Sequence, residues 1–211
     1  APLALPKRIE AAAENGKVDV VQTWLSGAGR VDATCVRGGV HAWTLLLIAA
    51  ECGHKEMVEL LLKRGAEADA QNSEGITALM VAALSGHVQV VEMLLRHGAR
   101  MNLQDRKHGV TALMAAAAKG HERVVELLLR HGAEINLQCN LGGTALTGAA
   151  FFGRPAVVLR LLRAGADMAL RTAAGKTALQ IAKEKGHTEC VAAVKTFLGE
   201  VAAERRDAAA V

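Results

Sequence analysis

A segment of about 33 residues repeats along the chain, and this repetition constrains the fold more than any other feature. Residues 77–104 read TALMVAALSGHVQVVEMLLRHGARMNLQ, and residues 111–138 read TALMAAAAKGHERVVELLLRHGAEINLQ. Weaker copies begin at Thr44, Thr144 and Thr177, so the spacings between the five threonines are 33, 34, 33 and 33. A fixed period of this length indicates a stack of small structural units rather than one globular core.

Each copy predicts two short helices. Leu79, Ala82 and Ala83 share one face of the first helix. Thr77 stands where a helix N-cap belongs, and Gly86 stands where a helix ends in a left-handed conformation. The second helix carries apolar residues at the same spacing, namely Val90, Val91, Leu94 and Leu95. One such unit is too small to bury its own apolar face, so neighbouring units must stack.

The repeated pattern closely resembles the ankyrin repeat over about residues 7–198. The Thr-x-Leu unit is Thr77-Ala78-Leu79, Thr111-Ala112-Leu113, Thr144-Ala145-Leu146 and Thr177-Ala178-Leu179. The Ala pair is Ala49-Ala50, Ala82-Ala83, Ala116-Ala117 and Ala149-Ala150. Gly-His is Gly53-His54, Gly86-His87, Gly120-His121 and Gly186-His187, and Gly-Ala is Gly65-Ala66, Gly98-Ala99, Gly132-Ala133 and Gly165-Ala166. The resemblance implies an all-α ankyrin-repeat solenoid of stacked helix-turn-helix units joined by β-hairpin-like loops.

The predicted organisation is a single domain over residues 1–211, with about six repeats including both caps. Its parts are an N-terminal capping repeat 7–37, internal repeats 38–71, 72–104, 105–138 and 139–171, a C-terminal capping repeat 172–199 and a tail 200–211. The tail is expected to be a helical extension that frays. Extra residues lie in Thr34–His41, and they predict either a binding loop or simply a longer finger.

Two departures from the ankyrin motif are expected to lower stability. The proline of the family's Thr-Pro-Leu-His is absent from every copy. The histidine is replaced by Leu47, Met80, Met114, Thr147 or Gln180, so the usual threonine–histidine hydrogen bond cannot form. Each loss is expected to cost about 0.5–1 kcal/mol.

Composition bears on compartment and on several function classes. No apolar run approaches 18 residues, so no membrane span is predicted, and the N-terminus lacks a signal segment. Cys35, Cys52, Cys139 and Cys190 show no CxxC spacing, which favours reduced thiols over a disulfide framework or a zinc site. We therefore expect a cytoplasmic or nuclear protein without a cofactor. The chain starts at Ala1 rather than Met, as an excised fragment would.

Catalysis is not predicted. No Ser/His/Asp or Cys/His arrangement stands outside the repeat framework, and no phosphate-binding or HExxH motif is present. Four histidines occupy one repeat position, which favours capping or packing over metal binding: His54, His87, His121 and His187. Neither a catalytic residue nor a metal ligand is assigned.

The net charge of +4 arises largely from a basic ladder at the ends of the second helices, namely Lys63, Arg96, Arg130 and Arg163. Cations there complement the helix dipole. The alternative is an acidic partner or a nucleic-acid backbone along the ladder. Nucleic acid is the less favoured partner because aromatic residues for base stacking make up only 2% of the chain.

Partner-binding residues are predicted at positions where the repeats differ. In ankyrin repeats, partners dock on the fingertips and on the concave face of the first helices, and this mapping places in the groove Trp43, Ile76, Leu84, Ser85, Val110, Lys119, Phe151 and Phe152. The fingertips fall at residues 73–74, 106–108 and 140–141, of which the basic tip is Arg106, Lys107 and His108. The phenylalanine pair predicts either an interaction site or local packing beside Arg154.

The predicted function is non-catalytic recognition of a protein or peptide partner by a monomeric scaffold. An alternative is a targeting domain of a larger enzyme, channel or regulatory protein, and a further one is an engineered repeat scaffold. The resemblance also implies a modification site: Asn136, with Leu128, Glu134 and Ile135 before it, matches the sequence context favoured by an asparaginyl hydroxylase. The other reading of Asn136 is a hydrogen-bonding hairpin residue.

Overall fold

The computed structural model describes residues 4–209 and, in the last helix, side chains only as far as Arg206. Twelve α-helices and one two-stranded sheet make up this part of the chain. The chain divides into two compact units, one ending at Ala112 and the other beginning at Leu113.

The first unit contains six helices and the sheet. Its elements are α1 (Lys7–Glu14), α2 (Val18–Ser26), β1 (Thr34–Arg37), β2 (Val40–Thr44), α3 (Leu45–Cys52), α4 (Lys55–Lys63), α5 (Ala78–Ser85) and α6 (Val88–Arg96). The second unit is helical wherever it forms regular structure. Its elements are α7 (Ala112–Lys119), α8 (Glu122–Arg130), α9 (Ala145–Phe151), α10 (Pro155–Arg163), α11 (Ala178–Glu184) and α12 (Thr188–Ala209). The predicted pairs of short helices are therefore present. The boundary between the two units falls within α7, just after its first residue, Ala112.

The first helix of an internal repeat is buried on nearly every side, whereas the second is buried along one stripe. In α3, the six residues from Leu45 to Ala50 are buried, because α3 packs against both α1 and α5. In α6, only Val90, Val91 and Leu94 are buried. A helix that is apolar on every side is stable only between neighbours, so the stacking of repeats supplies the core.

Threonine caps begin the first helices, as the sequence predicts. The hydroxyl accepts the N–H three residues on, in the pairs Thr44–Leu47, Thr77–Met80, Thr144–Thr147 and Thr177–Gln180. In the last two pairs a reciprocal hydrogen bond is present. Thr147 Oγ1 accepts the N–H of Thr144 at 2.7 Å, and Gln180 Oε1 accepts the N–H of Thr177 at 2.9 Å. These capping boxes satisfy two free donors each. The expected cost of losing histidine is thus offset in these two repeats.

The extra residues near the N-terminus form a β-hairpin. β1 and β2 pair in antiparallel fashion, and Gly38 and Gly39 make the two-residue turn with φ of 55° and 81°. Both values are positive, as the tight turns favoured in hairpins require. The register shifts between Cys35 and Arg37, and Ala42 in the partner strand has φ of 62°. The bulge bends the hairpin, and Arg37 at the end of β1 lies over the ring of Trp43.

Helix α12 runs without a break from Thr188 to Ala209, so the predicted tail is helical over its described part. Arg163 of α10 pairs with Glu200 of α12 at 2.5 Å and holds the extension against α10. Residues 210–211 lie outside the described residues. Among the helices of residues 4–209, none combines the length and the apolar character needed to cross a membrane.

Candidate protein-binding surfaces

Loops between repeats stack on one another at their tips. In the first unit the N–H of Ser73 donates to His41 O at 3.0 Å, and the N–H of Arg106 donates to Glu74 O at 2.7 Å. In the second unit the N–H of Ala173 donates to Leu141 O at 2.8 Å. The predicted fingertips are therefore joined by main-chain hydrogen bonds, which fix the loops as a continuous edge within each unit.

The side chain of Asp105 fixes the backbone of the basic tip by hydrogen bonds. Its Oδ1 accepts the N–H groups of Lys107 and His108, and its Oδ2 accepts the N–H of Val110. The Arg106 guanidinium lies along the preceding loop and donates to Ser73 O at 3.3 Å. The side chains of Arg106, Lys107 and His108 are all exposed, as a partner contact requires.

The first-helix surface of the first unit exposes one large apolar residue. Leu84 is 44% exposed at the end of α5, and Ser85 beside it is exposed. Ile76 and Val110, at the bases of two fingers, are half-buried. Each of these four residues is exposed or half-buried, and their role in partner binding stays a prediction.

Trp43 is different, because the structure buries it. Only 8% of the residue is exposed, and the Arg37 guanidinium lies 5.0 Å from the centre of its ring. The expectation of a tryptophan open to a partner is wrong. The hairpin built by the extra residues carries Arg37 over the ring and covers it.

Arg37 is also the centre of an ion-pair network that the sequence reading missed. Its guanidinium lies 2.7 Å from carboxylate oxygens of Glu14 and Glu51 and 3.7 Å from Glu10. These carboxylates lie on α1 and α3, so Arg37 of the inserted hairpin connects the two helices by ion pairs. The signal in the sequence was an arginine next to a Gly-Gly turn, together with glutamates in the last turns of α1 and α3.

In the second unit, two phenylalanines stand exposed at the end of α9. Phe151 is 43% exposed and Phe152 is 53% exposed. Their rings pack edge to face with centroids 4.9 Å apart, and Lys185 Nζ lies 4.3 Å from the centre of the Phe151 ring. Local packing and exposure therefore coexist: each ring has neighbours, and about half of each remains in contact with solvent.

The repeated histidines connect one repeat to the next. Nε2 of His54 lies 2.7 Å from Glu14 O, that of His87 lies 2.9 Å from Glu51 O, and that of His187 lies 3.0 Å from Phe151 O. A carbonyl oxygen can only accept, so Nε2 carries the proton. Within the described residues, no group of three or more His, Cys, Asp or Glu side chains is placed to hold a metal ion.

A family model for ankyrin repeats matches residues 9–105 and 101–172. The chain belongs to the ankyrin repeat family. Ankyrin repeats are generally protein–protein interaction modules, and the family is typically non-catalytic. A comparison with curated proteins finds none that matches this chain.

The basic ladder on the second helices of these ankyrin repeats is largely paired. Lys63 contacts Glu59 at 2.6 Å, and Arg96 contacts Glu92 at 2.6 Å, both one turn earlier in the same helix. Arg163 contacts Glu200. Cations already paired with carboxylates attract a polyanion weakly, which favours the helix-end role over nucleic-acid binding.

Asn136 bridges two ankyrin hairpins. Its Oδ1 accepts the N–H of Asp167 at 2.9 Å, and the residue is exposed. In the first unit, Asp69 Oδ1 accepts the N–H of Arg100 at 2.8 Å, which is the equivalent contact between two loops. The hydrogen-bonding role of Asn136 is therefore present, and its modification stays a prediction.

The thiols of this ankyrin domain are free, and burial suppresses the ionisation of Cys35, Cys52 and Cys190. All four cysteines are unbonded to one another. Burial, with the Glu10 carboxylate beside it, raises the pKa of Cys35 to about 11. Burial likewise raises the pKa of Cys52 and of Cys190. A nucleophilic thiol needs a lowered pKa, so these three do not have the character of reactive cysteines.

Proposed function

We propose that the chain is a non-catalytic module that binds a protein or peptide partner through the first-helix surfaces and fingertips of its ankyrin repeats. The exposed pair Phe151 and Phe152 carries this proposal. Framework residues of the repeats are accounted for by packing and capping, whereas this pair is not. Exposed apolar groups at defined positions mark interaction sites, and aromatic side chains are enriched at the centres of interfaces.

The rigidity of the surface supports the same function. The tips are joined by main-chain hydrogen bonds, and the histidines tie each first helix to the following repeat. A surface that is already ordered pays little conformational entropy when a partner binds. The basic tip at Arg106, Lys107 and His108 supplies a second contact region, in the first unit.

The test is quantitative affinity capture with matched variants. Wild-type protein, Phe151→Ala/Phe152→Ala and Leu198→Ala are immobilised and exposed to the same lysate. Leu198 is a suitable control because it is 46% exposed, close to the value for Phe151, but lies on α12. We expect a set of proteins that binds wild type and Leu198→Ala and is lost from the double variant.

Circular dichroism and thermal melting show whether the double variant is folded. If it is folded and still retains every partner, the phenylalanine pair is not the recognition site. If wild type captures nothing beyond the bare resin, the binding function itself is wrong. If the double variant melts much earlier than wild type, the rings are structural and the site assignment is overturned.

We further propose that the module acts as a monomer in the cytoplasm or nucleus. Four free cysteines support a reducing compartment. Light scattering coupled to size-exclusion chromatography tests the monomer, and a dimer mass independent of concentration would contradict it. Fluorescent tagging of the full-length protein tests the compartment.

We also propose, from family resemblance, that Asn136 is hydroxylated. It is exposed, but Oδ1 is held by the Asp167 N–H, so the hairpin must open locally before an enzyme reaches it. Incubation with an asparaginyl hydroxylase should add one oxygen to the peptide containing Asn136, detected by mass spectrometry. Asp167→Pro removes that N–H and should increase the extent of modification.

A further inference from the structure

In the repeats before and after the exposed phenylalanines, the position equivalent to Phe152 is a lysine. Counting one repeat back from Phe152 gives Lys119, at the end of α7, and counting one repeat forward gives Lys185, just after α11. Both lysines are exposed. All three positions belong to the second unit and to the ends of consecutive first helices.

Contacts confirm that these helix ends are neighbours. Arg154 Nε donates to Ala118 O, next to Lys119, at 3.1 Å. A Cβ added at Gly148 of α9 would lie 3.8 Å from the Cβ of Ala118. On the other side, Lys185 Nζ lies 4.3 Å from the centre of the Phe151 ring. The aromatic pair therefore sits between two cationic positions.

The charge of this surface is not neutralised by the chain itself. Helices α7 and α9 contain no acidic residue, and the one carboxylate of α11, on Glu184, pairs with Lys176 at 2.5 Å. Over residues 4–206, Lys119, Lys183 and Lys185 form no ion pair with a carboxylate. Lys63, Arg96 and Arg163 on the second helices are paired with carboxylates, whereas these lysines leave unpaired positive charge beside the phenylalanines.

We propose that this surface, defined by Lys119, Phe151, Phe152 and Lys185, binds an acidic peptide segment that carries an aromatic or large aliphatic anchor. This inference rests on the proposed binding function and specifies its partner. The anchor side chain packs on the two rings and removes their exposed apolar area from water. Carboxylates on either side of the anchor pair with the two lysines and set orientation and association rate.

The geometry also predicts the spacing of the acidic residues. Packed helices lie about 8–10 Å apart, so Lys119 is about one helix spacing from the rings, whereas Lys185 Nζ lies 4.3 Å from the centre of the Phe151 ring. An extended peptide advances about 3.3 Å per residue, and about three residues cover one helix spacing. We expect an acidic residue about three positions from the anchor on the Lys119 side and another about one position from it on the Lys185 side. A nucleic-acid phosphate backbone offers the charge without the apolar anchor, and the experiment includes anionic lipid vesicles as the other source of charge.

The experiment is a selection from a displayed library of random peptides of about 12 residues, using the whole chain as bait. Enriched peptides are then synthesised with a fluorescent label, and their affinities are measured by anisotropy. We expect Phe, Trp or Leu flanked by Asp or Glu at the predicted spacing. Lys119→Glu/Lys185→Glu should weaken binding about tenfold or more, since it reverses two charges at the contact.

A matched charge control is Lys7→Glu/Lys17→Glu, which makes the same change in net charge at two exposed lysines of the first unit. It should leave affinity within about twofold, because neither lysine belongs to the proposed contact. Phe151→Ala/Phe152→Ala should weaken binding about 30-fold, the size of a hot-spot truncation. Both lysines are exposed, so their variants remain informative even if loss of the phenylalanines unfolds the protein.

Different outcomes overturn different statements. Enriched peptides that lack acidic residues, or that bind equally to Lys119→Glu/Lys185→Glu, overturn this inference and leave the proposed binding function standing. A library that yields no enriched peptide, together with binding of phosphatidylserine-containing vesicles, overturns both. Peptides that respond to both the lysine and the phenylalanine variants, but not to the control, support both.

Discussion

Nε2 of His87 donates a hydrogen bond to the main-chain oxygen of Glu51, one repeat earlier, at 2.9 Å. The same imidazole faces Gly53, where an added Cβ would lie 2.6 Å from the ring. The histidine of one Gly-His pair thus packs on the glycine of the preceding pair. This relationship accounts for the repetition of both residues through the stacking of repeats rather than through metal binding.

Replacing His87 tests that contact. His87→Ala removes a half-buried hydrogen bond and the ring that covers Gly53, and should lower the free energy of unfolding by about 1–2 kcal/mol. The measurement is urea denaturation followed by circular dichroism. His97→Ala is the control, because His97 is exposed and bonds only within its own helix, to Met93 O. A cost for His87→Ala no greater than that of the control would contradict the assigned role.

Arg154 fills the histidine position in the repeat where Gly-His is broken. Its Nε donates to Ala118 O at 3.1 Å, and a Cβ at Gly120 would lie 2.8 Å from its Cδ. Arg154→His should therefore retain most of the stability, because imidazole makes the same bond elsewhere in the chain. Arg154→Ala should lose about 1 kcal/mol. Equal unfolding free energies for the two variants would show that the bond is not the stabilising element.

Substitutions at Gly53 and Gly65 distinguish the cost of a strained backbone from the cost of a steric clash. Both have positive φ, at 77° and 86°, but only Gly53 faces another side chain within 4 Å of an added Cβ. Gly65→Ala should cost about 1–2 kcal/mol for the left-handed backbone alone. Gly53→Ala should cost at least about 1 kcal/mol more, because the His87 ring must move. Thermal melting orders the two variants, and the reverse order would refute the packing argument.

Arg37→Met removes the centre of the network between α1, α3 and the hairpin. It leaves three carboxylates without their shared cation and uncovers Trp43, so stability should fall by about 1–3 kcal/mol. Tryptophan emission should move to longer wavelength as the ring meets water. Arg30→Met is the control, because Arg30 makes a solvent-exposed pair with Asp32, and it should cost much less than Arg37→Met. Similar costs for both variants would contradict the central role of Arg37.

Cys35 should react slowly. With its pKa raised to about 11 by burial and by Glu10, the thiolate fraction near pH 8 falls roughly 100-fold below that of an ordinary thiol. Iodoacetamide labelling, followed by mass spectrometry of the peptide, measures the rate in folded and urea-unfolded protein. The folded-state pKa is the higher one, so the associated stability is present below pH 9 and is lost as pH rises toward about 11. Equal labelling rates at pH 8 would contradict the burial.

The sequence alone determined the family, the helix pairs and the caps, because each depends on contacts that recur with the period. The threonine caps, the ends of helices at glycine and the buried alanine pairs all follow from one local pattern repeated five times. The paired charges of the second helices follow from the same logic, since Glu59–Lys63 and Glu92–Arg96 are one turn apart. Local spacing is sufficient to place such residues together.

Only the tertiary structure decided the features that do not repeat. Arg37 stands 14 residues from Glu51 and 23 residues from Glu14, and an inserted hairpin with a bulge brings them together over Trp43. Periodicity carries no information about an insertion, so the sequence left Trp43 exposed where the structure buries it. The lysines beside Phe151 and Phe152 support a binding hypothesis because no carboxylate of α7, α9 or α11 pairs with them. Which charges stay unpaired depends on distances between side chains, and those are set by packing.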